Sequence, residues 1–150
     1  MMPGPVSTDI ELQLRRLILA LLALGLAGVG VELVALGHYE DPLQLVPLGL
    51  IAAALGVIAW HAVAGRRNSL RALRVIALLL MVSGGAGVFF HYRGNMEFQL
   101  DTNPDLSGWP LFAKILHAKA PPALAPGVMA QLGLLGLIYT FRHPASRLKP

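Results

Sequence analysis

Glu32 is the ionisable side chain that lies deepest in an apolar stretch. It belongs to the twenty-residue run Leu17–Leu36, LILALLALGLAGVGVELVAL, which holds no other ionisable group. A carboxylate in such a run must be protonated, hydrated or paired, so we expect Glu32 to face the interior of a helical bundle. The other members of this predicted intramembrane polar site are Tyr39, Gln44, Arg93 and Gln131. The site is either a proton or cation site or a structural, hydrogen-bonded carboxylate.

A second group of polar side chains follows the ends of two apolar runs. His38 and His91 each precede a tyrosine at such an end, and Glu97 lies six residues after His91. Imidazole and carboxylate ligands suit Zn²⁺, Mn²⁺ or a related divalent metal ion, so His38, His91 and Glu97 are the candidate metal ligands. No fixed ligand spacing such as HExxH accompanies them. The alternative interpretation is a solvated polar rim at the helix ends.

Histidine pairs inside helical membrane bundles can also hold haem. His61 lies within an apolar run, and its natural mate is His143, which comes after the last such run. Because His61 follows Trp60, it is alternatively a residue of the aromatic belt at a membrane interface. We assign no cofactor, and haem or a divalent metal stays an alternative.

Several classes of chemistry are excluded by what the sequence lacks. The chain has no cysteine, which rules out disulfides, thiolate metal sites and dithiol redox chemistry. Its glycine clusters lie in apolar stretches rather than in a phosphate-binding loop after a strand. No catalytic residue is therefore assigned, and an enzymatic role is not favoured.

The elements that must position these residues are membrane helices. Of the 150 residues, 55% are hydrophobic and 13% are charged, against about a quarter charged in soluble domains. We predict a single all-α integral membrane domain over residues 1–150, a bundle of four transmembrane helices. The predicted spans are residues 12–36, 43–64, 72–90 and 123–141, with an outer loop at 91–122.

The charge distribution predicts the orientation of these spans. With the N-terminus in the cytoplasm, nine basic residues lie on the inner side and three on the outer side. The inner residues are Arg15, Arg16, Arg66, Arg67, Arg71, Arg74, Arg142, Arg147 and Lys149. Both termini are therefore expected in the cytoplasm, most simply at a bacterial inner membrane. The net charge of +4 follows the span ends, which argues against nucleic acid as a partner.

Repeated features suggest that the four spans form two similar helical hairpins. Spans one and three follow arginines, are rich in glycine and end in His-Tyr, while spans two and four both carry prolines near their starts. Composition alone can produce such likeness. For helix packing we expect contacts through small residues. The pairs that offer them are Ala23 with Ala27, Ala52 with Gly56, and Ser83 with Gly87.

A short amphipathic helix is predicted in the outer loop, from about Ser107 to Lys119. Leu111, Phe112, Ile115 and Leu116 share one face of it. It lies on the membrane surface as a lid over the bundle, or it docks a partner.

Three function classes remain open. The first is a non-catalytic accessory or assembly subunit of a larger membrane complex, with the lipid bilayer and other membrane subunits or a second copy as partners. The second is an ion- or proton-coupled carrier that uses Glu32 and the outer polar residues. The third is a membrane oxidoreductase component that binds haem, a metal or a quinone.

Overall fold

The computed structural model describes residues 5–118 and 124–147, and within these ranges the chain is helical and has no strand. The elements in chain order are α1 (Pro5–Ala35), α2 (Pro42–Ala64), α3 (Arg67–Thr102), α4 (Gly108–Leu116), α5 (Ala125–Thr140) and a 3₁₀ turn at Pro144–Arg147. Three helices are long and apolar enough to cross a membrane, namely α1 from Asp9 onward, α2 and α3. The predicted all-α class is confirmed for the described residues, whereas the fourth span stays a prediction because α5 has only 16 residues.

Local sequence signals account for both ends of α2. Asp41 is its N-cap residue and Pro42 its first residue, where the missing N–H of proline costs no hydrogen bond. Gly65 ends the helix in the left-handed region, at φ 58°, and its N–H donates to the carbonyl of His61. The predicted range 43–64 therefore matches the helix closely.

Helix α3 is longer at both ends than the predicted span 72–90. It begins at Arg67, so most of the basic segment GRRNSLRALR is helical and not a loop. It also continues through HYRGNMEFQLDT to Thr102, and the prediction that residue 91 opens a loop is wrong. The extension contains no proline and is supported by an Arg93–Glu97 ion pair one turn apart. The helix stops where Asn103 precedes Pro104, as proline disfavours helical geometry in the residue before it.

Four helices pack in a ring of the order α1, α2, α3 and α5. Helices α1 and α3 each contact both α2 and α5, and the contact between α3 and α5 is the most extensive. The centre is filled by aliphatic side chains, among which Leu22, Leu26, Leu73 and Leu80 are almost fully buried. The hairpins α1–α2 and α3–α5 exist, but their origin by repetition stays a prediction.

Glycines set the distance between α3 and α5. A Cβ atom added to Gly84 would lie 2.5 Å from the backbone nitrogen of Ala130, and one added to Gly133 would lie 2.5 Å from that of Met81. Backbone atoms cannot move aside as a side chain can, so the two helices approach this closely only with glycine at both positions. These contacts also show that α3 and α5 run antiparallel.

Helix α4 packs against the extension of α3. Ile115 is fully buried and Leu111 half-buried, and the ring of Phe112 packs against that of Tyr92 in α3, with 6.4 Å between the centroids. Phe112 and Leu116 are each 38% exposed, so the predicted apolar face is partly covered. The predicted amphipathic helix is present, but it ends at Leu116, and Lys119 lies outside the described residues together with the predicted start of the fourth span at residue 123.

Candidate functional site

The predicted metal ligands are only partly brought together. The rings of His38 and His91 stack with 6.4 Å between their centroids, although the two residues lie 53 positions apart in the chain. Glu97 instead accepts a hydrogen bond of 2.8 Å from Nε of Arg93, in an exposed ion pair. In the part of the chain that the structure describes, no three histidine or acidic side chains form a group that could hold a metal ion.

Four of the five members of the predicted intramembrane polar site, including Arg93, are exposed, and Gln44 is half-buried. Glu32 is exposed, so the expectation that it faces the bundle interior is wrong, and Gln131 and Tyr39 are exposed as well. Glu32 lies seven residues after Gly25, whose backbone packs against Leu132 of α5. Seven residues are about two helical turns, so Glu32 projects from the flank of α1 on the side of α5.

Gln44 has a structural role at the start of α2. Its Oε1 atom accepts hydrogen bonds from the backbone N–H groups of Glu40, at 3.0 Å, and Asp41, at 3.3 Å. With Asp41 as the N-cap residue this arrangement is a capping box. Gln44 therefore caps the start of α2 rather than binding an ion.

Replacement of Gln44 with alanine should lower the free energy of unfolding by about 1 kcal/mol, because two backbone donors lose their acceptor. Unfolding by a denaturing detergent measures this loss. Gln13→Ala is the control, since Gln13 is an exposed glutamine of α1. Equal stabilities of the two variants would contradict the capping role.

A buried chain of hydrogen bonds at the opposite end of the bundle was not predicted. His61 is 3% exposed, and its Nδ1 and Nε2 atoms lie 2.9 Å from Oγ of Ser69 and 3.0 Å from the hydroxyl of Tyr139. This chain joins α2 to α3 and to α5. The expectation that His61 belongs to an interfacial aromatic belt is wrong, because the side chain points inward. Its spacing gave a signal, since Ile51, Ala54, Ile58 and His61 continue one buried stripe.

The direction of each hydrogen bond follows from Ser69. Its hydroxyl donates to the carbonyl of Arg66 at 2.9 Å, so toward His61 it can only accept. Nδ1 of His61 therefore carries the proton, and Nε2 accepts from the hydroxyl of Tyr139. Both ring nitrogens of a neutral His61 are satisfied in this way.

Two arginines bind the C-terminal end of α5, next to this chain. Arg15 of α1 donates from Nη1 to the carbonyl of Tyr139 at 2.9 Å, and it also pairs with Glu11. Arg74 of α3 donates from Nη2 to the carbonyl of Thr140 at 3.0 Å. Carbonyls at a helix end lack intrahelical partners and carry partial negative charge, so guanidinium groups satisfy both needs.

His143 lies beside the buried hydrogen-bond chain of His61, Ser69 and Tyr139. Its ring centroid is 5.3 Å from that of His61 and 5.0 Å from that of Tyr139. Its Nδ1 atom accepts a hydrogen bond from the backbone N–H of Ala145 at 3.1 Å, which leaves the proton of the neutral ring on Nε2. Burial lowers the pKa of His143 to about 4, and the charge of Arg15 acts in the same direction, while Glu11 opposes it.

Stability should therefore fall as the pH falls from about 6.5 to about 4. Over this window the unfolded chain binds a proton on residue 143, at a pKa of 6.5, that the folded chain does not bind. Unfolding measured against pH in wild type and His143→Gln tests this. The variant should show a shallower loss of stability with acid, and an identical slope would contradict the lowered pKa.

The predicted pairing of His61 with His143 is observed, but its geometry does not suit haem. Both nitrogens of His61 are in hydrogen bonds to hydroxyl groups, and the two rings meet edge to face at 69°. Coordination of iron through Nε2 of His61 would break the bond to Tyr139 and leave that buried hydroxyl without its acceptor, and coordination through Nδ1 would break the bond to Ser69.

A cleft opens on this end of the bundle, between α1, α2 and the segment after α5. Its volume is about 530 Å³, and its polar lining consists of Arg15, Arg16, His61, Tyr139 and His143. We call it the basic cleft. A shallow, open depression of about 210 Å³ lies at the other end of the molecule, where His91 and Asn95 line it.

The sequence matches no protein-family model, and no curated protein or solved structure matches it. A function for these residues is therefore inferred from their geometry alone.

Proposed function

We propose that the protein crosses a bilayer four times, with both ends in the cytoplasm of a bacterium, and serves as a non-catalytic accessory subunit of a larger membrane complex. The surface of the bundle supports membrane insertion. Only 17% to 28% of the most apolar window of each candidate span is buried inside the protein. Exposed aliphatic side chains such as Leu24, Val31 and Val63 are stable in lipid and costly in water.

The position of α5 supports a fourth crossing. Its 16 residues give a length of about 24 Å, somewhat short of the roughly 30 Å hydrocarbon layer. Gly133 and Gly136 nevertheless pack on Ala77 and Met81, and Ala130 packs on Gly84, all in the apolar half of α3. If α3 crosses the bilayer with this apolar half, then α5, which is packed against it, lies at the same depth in the bilayer.

The arrangement of the basic residues supports the orientation. Arg15 belongs to α1, Arg66 is the N-cap residue of α3 and Arg74 lies about two turns into α3. All three lie around the same end of the bundle, through their bonds to α5 and to the hydrogen-bond chain of His61. Positive charge gathered at one end favours that end as the cytoplasmic one.

The observation that carries the subunit role is the outward position of Glu32 and Gln131. Gln131 is the seventh residue of α5, near its middle, and Glu32 is within the apolar run of α1. Both side chains are exposed, on two helices that pack together. A carboxylate or amide that faces hydrocarbon is costly, whereas a partner helix that offers a polar group removes this cost. We infer that the α1–α5 face is covered by another membrane subunit.

The interior of the bundle favours this role over the carrier. A carrier that uses Glu32 needs the carboxylate to face a polar passage, but Glu32 faces outward. The side chains between the helices are largely aliphatic, apart from the His61–Ser69–Tyr139 chain at the opposite end.

Extraction of the tagged full-length protein in a mild detergent tests the proposal. We expect it to migrate as an assembly larger than its 16.0 kDa monomer, with a partner that mass spectrometry can identify. The double variant Glu32→Leu, Gln131→Leu should lose most of this partner, because both polar groups of the interface are gone.

The matched control is Glu40→Leu, Gln13→Leu, which removes two exposed polar groups outside the apolar runs. It should keep the assembly intact. A well-behaved lone monomer from the wild type, or equal loss of the partner in both double variants, would contradict the proposal.

A further inference from the structure

We propose that the basic cleft binds the phosphate group of an anionic phospholipid from the adjacent leaflet. The cleft volume of about 530 Å³ lies within the range of roughly 300–1,000 Å³ that is usual for small-molecule sites. The proposed subunit role does not involve the basic cleft, because the cleft lies at the end of the bundle and away from Glu32.

The polar lining of the cleft offers mainly hydrogen-bond donors. Nε2–H of neutral His143 is not used by the bond that fixes this ring, and Nη1 of Arg15 uses one N–H for the carbonyl of Tyr139 and retains a second. Arg16 adds an exposed guanidinium group. The hydroxyl group of Tyr139 already donates a hydrogen bond to His61. A ligand that fits these groups is rich in acceptors, as a phosphate is.

The charge of the cleft favours an anion over a neutral acceptor. Glu11 pairs with Arg15 and balances its charge. Arg16 has no carboxylate within ion-pair distance among residues 5–118 and 124–147. One guanidinium charge is thus uncompensated at the rim, and Arg binds phosphate oxygens in a two-pronged geometry.

The rest of the cleft is suited to the apolar part of a lipid. Leu12, Arg16 and Leu19 lie on one face of α1, at spacings of four and three residues, and all three line the cleft. Arg15 and Arg16 come immediately before the apolar run that begins at Leu17. A ligand in the cleft therefore has its acceptor group at the level where the run starts and its apolar part alongside the run. Basic pockets between helices at this level are a known mode of binding lipid head groups.

This inference rests on the proposed membrane insertion but not on the subunit role. The α1–α5 face with Glu32 and the basic cleft are tested by different substitutions and different measurements. Loss of lipid binding would leave the assembly unchanged, and loss of the partner would leave the cleft unchanged, so failure of one is distinguishable from failure of the other.

Native mass spectrometry of the delipidated full-length protein in detergent is the test, with dioleoylphosphatidylglycerol and dioleoylphosphatidylcholine as probes. Both lipids carry the same phosphate group, but dioleoylphosphatidylcholine adds a choline cation, which Arg15 and Arg16 repel. We therefore expect the anionic lipid to bind at least about tenfold more tightly. Arg16→Gln should remove about that factor. Ala62→Trp, which fills the cleft from α2 without a change of charge, should weaken binding to a similar degree.

Arg71→Gln is the matched control, because it removes an exposed arginine of α3 that does not line the cleft. It should change the affinity by less than about twofold. Equal binding of the two lipids, equal losses in Arg16→Gln and Arg71→Gln, or full binding by Ala62→Trp would each overturn the proposal. Displacement of the lipid by an equal concentration of glycerol 3-phosphate would assign the cleft to a soluble phosphate instead. Displacement by decylubiquinone would assign it to a quinone.

Discussion

Alanine in place of Gly84 or Gly133 should lower the free energy of unfolding by about 3 kcal/mol, among the largest losses that a single methyl group can cause. The new Cβ atom would lie 2.5 Å from a backbone nitrogen of the facing helix, Ala130 in one case and Met81 in the other. Because backbone atoms belong to helices packed on both sides, the clash is relieved only if α3 and α5 move apart. That separation would loosen the most extensive helix contact in the bundle.

Two neighbouring glycines provide matched controls for this prediction. A Cβ atom on Gly85 or Gly127 would meet nothing within 4 Å, although Gly85 is adjacent to Gly84 and Gly127 lies in the same helix as Gly133. Alanine at these positions should leave stability unchanged or raise it by up to about 1 kcal/mol through helix propensity. Unfolding in a denaturing detergent measures all four variants. Similar stabilities in the two pairs would show that the helices do not approach as closely as described.

Removal of the His61 ring should be the second large effect, a loss of about 3 kcal/mol. His61→Ala opens a cavity and leaves the buried hydroxyl group of Tyr139 without its acceptor, while Ser69 loses a donor but keeps its bond to the carbonyl of Arg66. Ser69→Ala and Tyr139→Phe each leave one ring nitrogen unpaired and should cost about 1 to 2 kcal/mol.

A double-mutant cycle separates the hydrogen bonds from simple packing. Tyr139→Phe should cost about 1 kcal/mol less in the His61→Ala background than in wild type, because its partner has already been removed. Tyr39→Phe is the control, as Tyr39 is exposed. Additive losses in the cycle would mean that His61 and Tyr139 do not interact, in conflict with the 3.0 Å contact.

The helices that obey local rules were predictable from the sequence. The limits of α2 follow from Asp41, Pro42 and Gly65, each of which acts through its own backbone geometry. The ends of α3 were missed because hydropathy reports the environment of a segment and not its conformation. Residues 91–102 have the polar and aromatic composition of a segment outside the hydrocarbon layer, yet no proline before Pro104 ends the helix.

The packing faces show a different limit. Ala52 and Gly56 have the spacing of a contact pair, but both are exposed, whereas Gly84 and Gly133 make the close contacts. Spacing along a helix identifies which residues share a face and does not identify which face meets a neighbour. The orientation of Glu32 was wrongly predicted for the same reason, since Glu32 could be placed at a depth but not on a side of α1.

The basic cleft was beyond prediction because its parts are distant in the sequence. His61 and Tyr139 are 78 residues apart, and Arg15 reaches a carbonyl 124 residues away. Only the position of His61 in the buried stripe of α2 gave a local signal. The pairing with His143 was anticipated, although the hydroxyl partners that occupy both nitrogens of His61 were not.

The central claim, four crossings with both ends in the cytoplasm, is tested most directly by labelling of single cysteines with a membrane-impermeant maleimide. The natural chain has no cysteine, so each variant reports one position. Glu40→Cys and Asp105→Cys should react in intact spheroplasts, whereas Asn68→Cys and Ser146→Cys should react only after the membrane is made permeable. Reaction of Asp105→Cys and Ser146→Cys from the same side would show that α5 does not cross, and would contradict the account.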